Sequence, residues 1–402
     1  LVLAFPIEER HHPIGPSRVG AVRTVWKDAG MNIRQGHRSG RRPAIARRVR
    51  LAVLAALALP PVLAACGDVR AQAAAPAPLK LRVVGGIAGV NQFVLHEEPF
   101  WTRELARRSG GRYGADIVPF DRAGVPGHDM LTLMRLGVVP FGTVLLGQVV
   151  ARHPELGAPD LAGLSPDVGT LRRAVAAFRP QLAQSLRDDH ALELLAVYIY
   201  PAQVFFCTDT ITSLKELAGR RIRVSSPTQA DFVAALDAIP VSTAFTEIVP
   251  AMRSGRVQCA VTGAVSGRAI GLDEIARTVY AMPVSWGIAL FAANRDAWQA
   301  LPDDLRRLLR EELPRLEAAI WDESERETGR PPTCGVGPDC RSGASSASPL
   351  VVWPSEAEQR KRRELFEREI LPRWVQRCGA ECARLWNRTL AATLGVKSPV
   401  AP

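Results

Sequence analysis

Lys80-Leu81-Arg82-Val83-Val84 alternates polar and apolar positions and then meets Gly85-Gly86, the pattern of a strand running into a loop. Residues 100–108 read as the end of a helix, closed by Gly110-Gly111. Ala115-Asp116-Ile117-Val118-Pro119 gives a second strand, residues 129–136 a short helix, and residues 138–150 a further apolar segment. This strand–helix–strand rhythm predicts an α/β fold with a largely parallel sheet. Residues 192–206 are almost wholly apolar, which suits a buried strand passing from one lobe to another with Pro201 at the crossing. A second α/β unit is expected over about 202–285. Residues 303–327 form an amphipathic helix with Leu305, Leu308, Leu309, Leu316 and Ile320 on one face, and Pro314 is expected to kink or divide it. Residues 329–349, rich in Gly, Pro and Ser, read as an exposed loop. Ser355-Glu356-Ala357-Glu358 is a capping-box signature opening a charged C-terminal helix. No internal repeat is present.

The segment 213–262 carries the densest local signals. Leu214-Lys215-Glu216-Leu217-Ala218-Gly219 reads as a short helix ended by glycine, and residues 220–224 as a strand. Ser226-Pro227-Thr228-Gln229 then opens a helix, with a capping Ser, Pro at the first position and Gln three residues after the cap. Arg223 therefore lies at a strand end just before a helix N-terminus. Free N–H groups, a partial positive charge and a planar two-donor fork together suit a carboxylate. Open α/β sheets bind ligands at such strand ends. The alternative is a solvated strand-end arginine.

Charge changes meaning once the front of the chain is set apart. Residues 41–50 carry five arginines and no acid, and the next fifteen carry no charge, the layout of a secretory signal. The apolar run is shorter than the roughly 20 residues that span a bilayer. Residues 31–73 are therefore read as a signal peptide starting at Met31, and residues 1–30 as an extension from a misplaced start. Two cleavage readings stand: a lipobox-like Leu63-Ala64-Ala65-Cys66 that would leave Cys66 lipidated, and the small-residue site Ala71-Gln72-Ala73. Residues 1–79 hold twelve Lys or Arg and four Asp or Glu, so the chain's +11 falls to about +3 in the remainder. No basic block with interleaved aromatics survives there, and nucleic acid is not an expected partner. The remaining length suffices for two lobes.

Residues 217–224 (LAGRRIRV), Ala244-Phe245-Thr246-Glu247, Ala251-Met252, Gly255 and Val257 carry a resemblance, continued by residues 294–305 (NRDAWQALPDDL). The chain resembles, over roughly residues 80–395, the DctP-type solute-binding subunits of tripartite ATP-independent periplasmic (TRAP) transporters. The resemblance implies a two-lobed periplasmic solute-binding fold with hinge strands and a long C-terminal helix. It implies a small organic acid as ligand and small and large membrane subunits as partners. It places the family's key arginine at Arg223 and an aromatic that packs on the ligand at Phe245, which reads equally as a core residue before a helix cap. Thr262 falls where many members have an Asn, and Gln203 replaces a second arginine. Gly137-Val138-Val139-Pro140 replaces a Gly-x-Asp. Arg223 would then act with neutral partners, which leaves room for a monocarboxylate, a zwitterion or a less charged ligand. Asn91 and Gln92, in the loop after the first strand, are candidate donors; Trp286 either walls the cleft or packs at the hinge. The lobes are expected at 80–200 with 287–328 and at 201–286 with 350–395.

Beyond Cys66, the cysteines are Cys207, Cys259, Cys334, Cys340, Cys378 and Cys382. Export favours disulfides. Cys334 and Cys340 bracket a loop they can close, or each can pair with Cys378 or Cys382; Cys207 and Cys259 are buried thiols or a third bridge. Zinc is the alternative for the four later cysteines, though their spacings are not those of a ribbon. After residue 79 the histidines are His96, His128, His153 and His190, none at metal-ligand spacing. No G-x-S-x-G, H-E-x-x-H or P-loop pattern occurs. The expectation is a periplasmic binding protein rather than an enzyme, without metal or cofactor, held to the membrane only by partners or a lipid. A receptor for a membrane sensor kinase is the alternative, an exported hydrolase a more distant one.

Overall fold

The computed structural model describes residues 79–329 and 349–399. The signal segment, both cleavage readings, Cys66, Cys334 and Cys340 lie outside the described residues. The strands are β1 (Leu79–Val84), β2 (Tyr113–Val118), β3 (Phe141–Leu145), β4 (Leu192–Ile199), β5 (Gln203–Cys207), β6 (Arg221–Val224), β7 (Ile239–Ser242), β8 (Cys259–Gly263), β9 (Thr278–Ser285), β10 (Ile288–Asn294) and β11 (Leu350–Val352). They form two sheets, ordered β2-β1-β3-β10-β4 and β11-β9-β5-β8-β6-β7. Each sheet defines one lobe.

The sheets are mixed rather than largely parallel, and the exceptions share a cause. In the first sheet only β10 runs against its neighbours β3 and β4. In the second only β5 does, against β8 and β9. Both are strands that have just crossed between lobes: β4 passes to β5 through Tyr200-Pro201-Ala202, and β9 to β10 through Trp286-Gly287. Each enters its sheet at the lobe boundary, the end where its neighbours finish (Gln203 opposite Gly263 and Ser285, Ile288 opposite Ile199), and so runs against them. The two crossings are tied together, since Tyr200 N–H donates to the Gly287 carbonyl at 3.0 Å.

The helix Asp303–Gly329 packs on β4, burying Leu305, Leu309, Leu313, Leu316 and Ile320. Of the two expected effects of Pro314, a kink or a division, the division does not occur: the helix runs continuously through it. Buried leucines before the proline and hydrogen-bonded anchors after it outweigh its lost hydrogen bond. Trp321 Nε1–H donates to the Val197 carbonyl, Ser324 Oγ–H to the Ile199 carbonyl, and Glu317 accepts from Val197 N–H and Arg179. The helix Val168–His190 is not among the elements placed by the pattern reading. Asp167 caps it, and Leu171, Ala174, Val175, Phe178, Leu182 and Leu186 form its buried stripe.

The C-terminal helices contact both lobes. Arg377 pairs with Asp231 of the helix Pro227–Ala234 in the second lobe, while Trp374 Nε1–H donates to the Pro154 carbonyl in the first. The Ser355 capping box is present as expected.

Because Pro314 is exposed and the helix continues through it, Pro314→Ala restores a backbone bond without disturbing packing. Urea denaturation should show a gain of about 1–3 kcal/mol. A loss would mean the proline holds a bend that the packing requires.

Candidate functional site

A cavity of about 390 Å³ opens between the two lobes. The first lobe supplies Ile87, Phe120, Asp121, Val125 and Gln148; the second supplies Arg223, Ser225, Phe245, Thr262 and Ser266. Tyr200, Gln203 and Gly287, from the two crossings, complete the lining. Apolar and polar groups alternate around it, as in cavities that orient a small ligand by a few fixed contacts.

Arg223 is placed by strand order. It lies in β6, paired with Val241 of β7 and Ala260 of β8, and only 3% of it is exposed. Its Nε–H donates to the Thr243 carbonyl at 2.9 Å and Nη1–H to the Val261 carbonyl at 2.8 Å. Two anchors fix the plane of the guanidinium, while Nη2 makes no hydrogen bond among the described residues. No described carboxylate pairs with it. Burial lowers its pKa to about 10, so it stays charged near neutrality.

Gln229, buried beneath the cavity, holds the neighbouring polar groups. Its Oε1 accepts from Ser225 N–H and Oγ–H, and its Nε2 donates to Gln203 Oε1 and Ser285 Oγ. Ser226 Oγ caps the helix by accepting from Gln229 N–H, yet the Gln229 side chain reaches Ser225 rather than closing a reciprocal box. Thr262 lies in β8 beside Arg223's anchor, and Phe245 is half-buried, at once against the second-lobe core and on the cavity wall.

Other expected positions fall elsewhere. Asn91 donates to Glu323 on the long helix, and Gln92 to Glu97; both are buried and neither lines the cavity. Asn91 precedes and Gln92 opens the π-helix Gln92–Glu97, and both amides satisfy buried acids. Trp286 is fully buried at the second crossing, its Nε1–H donating to the Ser165 carbonyl, and so packs instead of walling the cleft. The helix N-terminus is also displaced: Ser226, Pro227 and Thr228 line a separate hollow of about 40 Å³, and only Ser225 of that turn reaches the main cavity beside Arg223. Gly137-Val138-Val139-Pro140 does not line the cavity either.

Asp121 is the residue that sequence reasoning missed. It follows β2, at the same kind of strand end that drew attention to Arg223, and its Oδ1 accepts from Ala88 N–H at 2.8 Å. It makes no ion pair among the described residues. The cavity therefore carries one cation on the second lobe and one anion on the first, so the lining is not neutral around Arg223.

The crossings themselves are pinned by buried acids. Asp160 accepts from Trp286 N–H at 2.9 Å and Gly287 N–H at 2.7 Å, and burial raises its carboxyl to about 6. Gly287 has φ +84°, and a Cβ there would stand 2.7 Å from Gln203 Nε2, so only glycine fits. Glu97 accepts from Gly86 N–H and Gln92 Nε2–H, and burial raises it to about 7. Tyr200 OH accepts from Ile87 N–H, and burial together with Glu97 raises its pKa. Disulfides join Cys207 to Cys259, directly opposed on β5 and β8, and Cys378 to Cys382. Among the described residues His153 and His190 come together with Glu155, which their sequence spacing conceals.

Residues 85–329 match the family described as bacterial extracellular solute-binding protein, family 7. Among curated proteins, none matches the sequence. Solved structures share the fold. An extracytoplasmic solute receptor of Bordetella pertussis that binds pyroglutamic acid is 18% identical, covers 76% of this chain and 97% of its own, and superposes with a TM-score of 0.65. A TRAP periplasmic solute-binding protein from Desulfovibrio salexigens with bound orotic acid is 15% identical, with 78% and 99% covered and a TM-score of 0.66. One from Pseudomonas aeruginosa with bound L-malate is 15% identical, with 71% and 97% covered and a TM-score of 0.60.

The Glu97 and Asp160 carboxyls hold their protons more tightly folded than unfolded. Their contribution to stability is therefore greatest below about pH 4 and is lost as pH rises through about 6 and 7. Glu97→Gln removes the charge, and its amide can donate to Gln92 Oε1, which lacks a partner. Its stability relative to native should rise between pH 5 and 8, by up to about 3 kcal/mol in urea titrations. A difference that does not change with pH would contradict the assignment.

Proposed function

The chain belongs to the bacterial extracellular solute-binding proteins of family 7, and we propose that its cavity receives a small carboxylate whose charge is met by Arg223. Family membership makes it a solute-binding receptor that acts outside the cytoplasm, not an enzyme. The finer reading rests on one observation: a guanidinium buried in the cavity wall, fixed by two carbonyls and without an acid beside it. Such a cation has paid much of its desolvation cost already, so an arriving carboxylate gains a charge-assisted contact in a low-dielectric setting.

Asp121 narrows the ligand. A dicarboxylate would bring its second charge towards a carboxylate, and Gln203 stands where relatives of the resembling family often have a second arginine. An acid carrying one carboxylate and one N–H or ammonium donor satisfies both ends. Pyroglutamic and orotic acids, bound by the Bordetella and Desulfovibrio receptors, are ring acids of that kind. Phe245 and Phe120 would cover the body of the ligand from the two lobes, with Thr262 and Gln203 supplying neutral hydrogen bonds.

Capture proceeds by closure of the lobes, 80–200 with 287–328 against 201–286, about the paired crossings. The C-terminal helices hold both sides. Ligand favours the closed form only through contacts made in both lobes at once, which Arg223 and Asp121 on opposite walls would supply. The chain is exported by residues 31–73, with Cys66 lipidation and cleavage after Ala73 as the two processing routes. It delivers its ligand to the small and large membrane subunits of a TRAP transporter.

Arg223→Ala should raise the dissociation constant for a stabilising carboxylate at least a hundredfold by calorimetry, with circular dichroism unchanged; equal affinity would overturn the assignment. Asp121→Asn should weaken an N–H-bearing monocarboxylate and strengthen a dicarboxylate such as malate. If the two classes respond alike, the role of Asp121 fails.

A further inference from the structure

On the far side of the first lobe, His153, Glu155 and His190 each direct one donor atom to within 4.8 Å of the others. They come from two rigid supports. His153 and Glu155 flank Pro154 at the start of the 3-10 turn Pro154–Asp160, whose Pro154 carbonyl is held by Trp374. His190 is the last residue of the helix Val168–His190, which Ala191 ends in the left-handed region at φ 53°. His153 Nδ1 stands 3.7 Å from Glu155 Oε1, and the two imidazoles meet edge to face with centroids 4.7 Å apart. All three face a depression of about 270 Å³, shared with Thr132, Arg135 and Asp189.

We propose that His153, Glu155 and His190 form a binding site for a borderline divalent transition-metal ion, with zinc as its type. The bland reading is an ion pair beside a core histidine, and His190 itself argues against it. Only 7% of His190 is exposed, and its Nε2 is buried without a hydrogen-bond partner among the described residues. A buried ring nitrogen left unpaired is costly in a native fold and needs an explanation.

Two imidazoles and one carboxylate suit zinc, cobalt or nickel rather than the oxygen-seeking magnesium or calcium. Bonds of about 2.1 Å in tetrahedral array place donors about 3.4 Å apart. The present separations thus require side-chain rotations of about 1 Å, available to His153 and Glu155, whose side chains are each 33% exposed. The Arg135 cation in the same depression opposes metal binding, and Asp189 offsets it. Three protein ligands leave a fourth position for water or for Asp189.

The consequence is mechanical. An ion here ties the end of the helix Val168–His190 to the turn Pro154–Asp160. The last residue of that turn, Asp160, holds Trp286 and Gly287 at the lobe crossing. The site would act on the hinge only through the length of that turn, independent of the identity of the solute.

The test uses the full chain without a histidine tag, stripped of metal by a chelator and titrated with zinc alone in equilibrium dialysis. The site predicts one tight equivalent per chain. Affinity should fall at least tenfold in His153→Ala and in Glu155→Gln, and the equivalent should vanish in His190→Ala. Arg223→Ala should bind zinc as the native chain does. His153 and Glu155 are partly exposed, so their variants decide the matter if His190→Ala fails to fold. Zinc bound equally by the native chain and by both of those variants, as cysteines or other histidines would give, overturns the proposal.

Discussion

A guanidinium held in the wall of a cleft without a carboxylate beside it is the constraint around which this molecule is arranged. Left alone, a buried charge costs several kcal/mol. The fold tolerates Arg223 by fixing it on the Thr243 and Val261 carbonyls. Those carbonyls are where they are because β6 lies between β7 and β8. Sheet order sets that orientation, while the Gln229 network fixes Ser225 and Gln203, which line the cavity with it. What remains of the guanidinium's hydrogen-bonding capacity is available to the cavity.

The second organising feature is the pair of crossings. Each sheet contains one strand that runs against its neighbours, and in both cases it is the strand that has just arrived from the other lobe. The crossings are bonded to each other through Tyr200 and Gly287 and pinned by Asp160. Tyr200, Gln203 and Gly287 also line the cavity. Cavity lining and crossing thus share residues, and on the proposed function this is what would couple occupancy to lobe closure. The cluster of His153, Glu155 and His190 touches the same system from behind, at the opposite end of the turn that carries Asp160.

Much of this was legible in the sequence, and the failures have physical reasons. Alternation and flanking turn residues located β1, β2 and β6, and the long helix stood out because it buries one face. The apolar run over 192–206 revealed a lobe crossing at Pro201. Arg223 stood out because a strand end, a capping serine and a proline follow in order. The same local logic misplaced the helix N-terminus, since a turn of one residue decides which hollow it faces. Asn91 and Gln92 were misjudged because the acids that claim them, Glu323 and Glu97, are recognisable as buried only in three dimensions. Pro314 does not divide its helix, whose later turns are anchored to β4. His153 and His190, 37 positions apart in numbering, meet only through a helix packed against a turn.

The central claim is that charge on the ligand is what the cleft reads through Arg223. The most direct measurement is a thermal-shift titration of the native chain with small ring carboxylates, each paired with its neutral amide. Ligand at a hundred times its dissociation constant should add about 2.7 kcal/mol and raise the melting temperature by several degrees. The account predicts that shift for an acid and none for its amide. Equal stabilisation by both would contradict it.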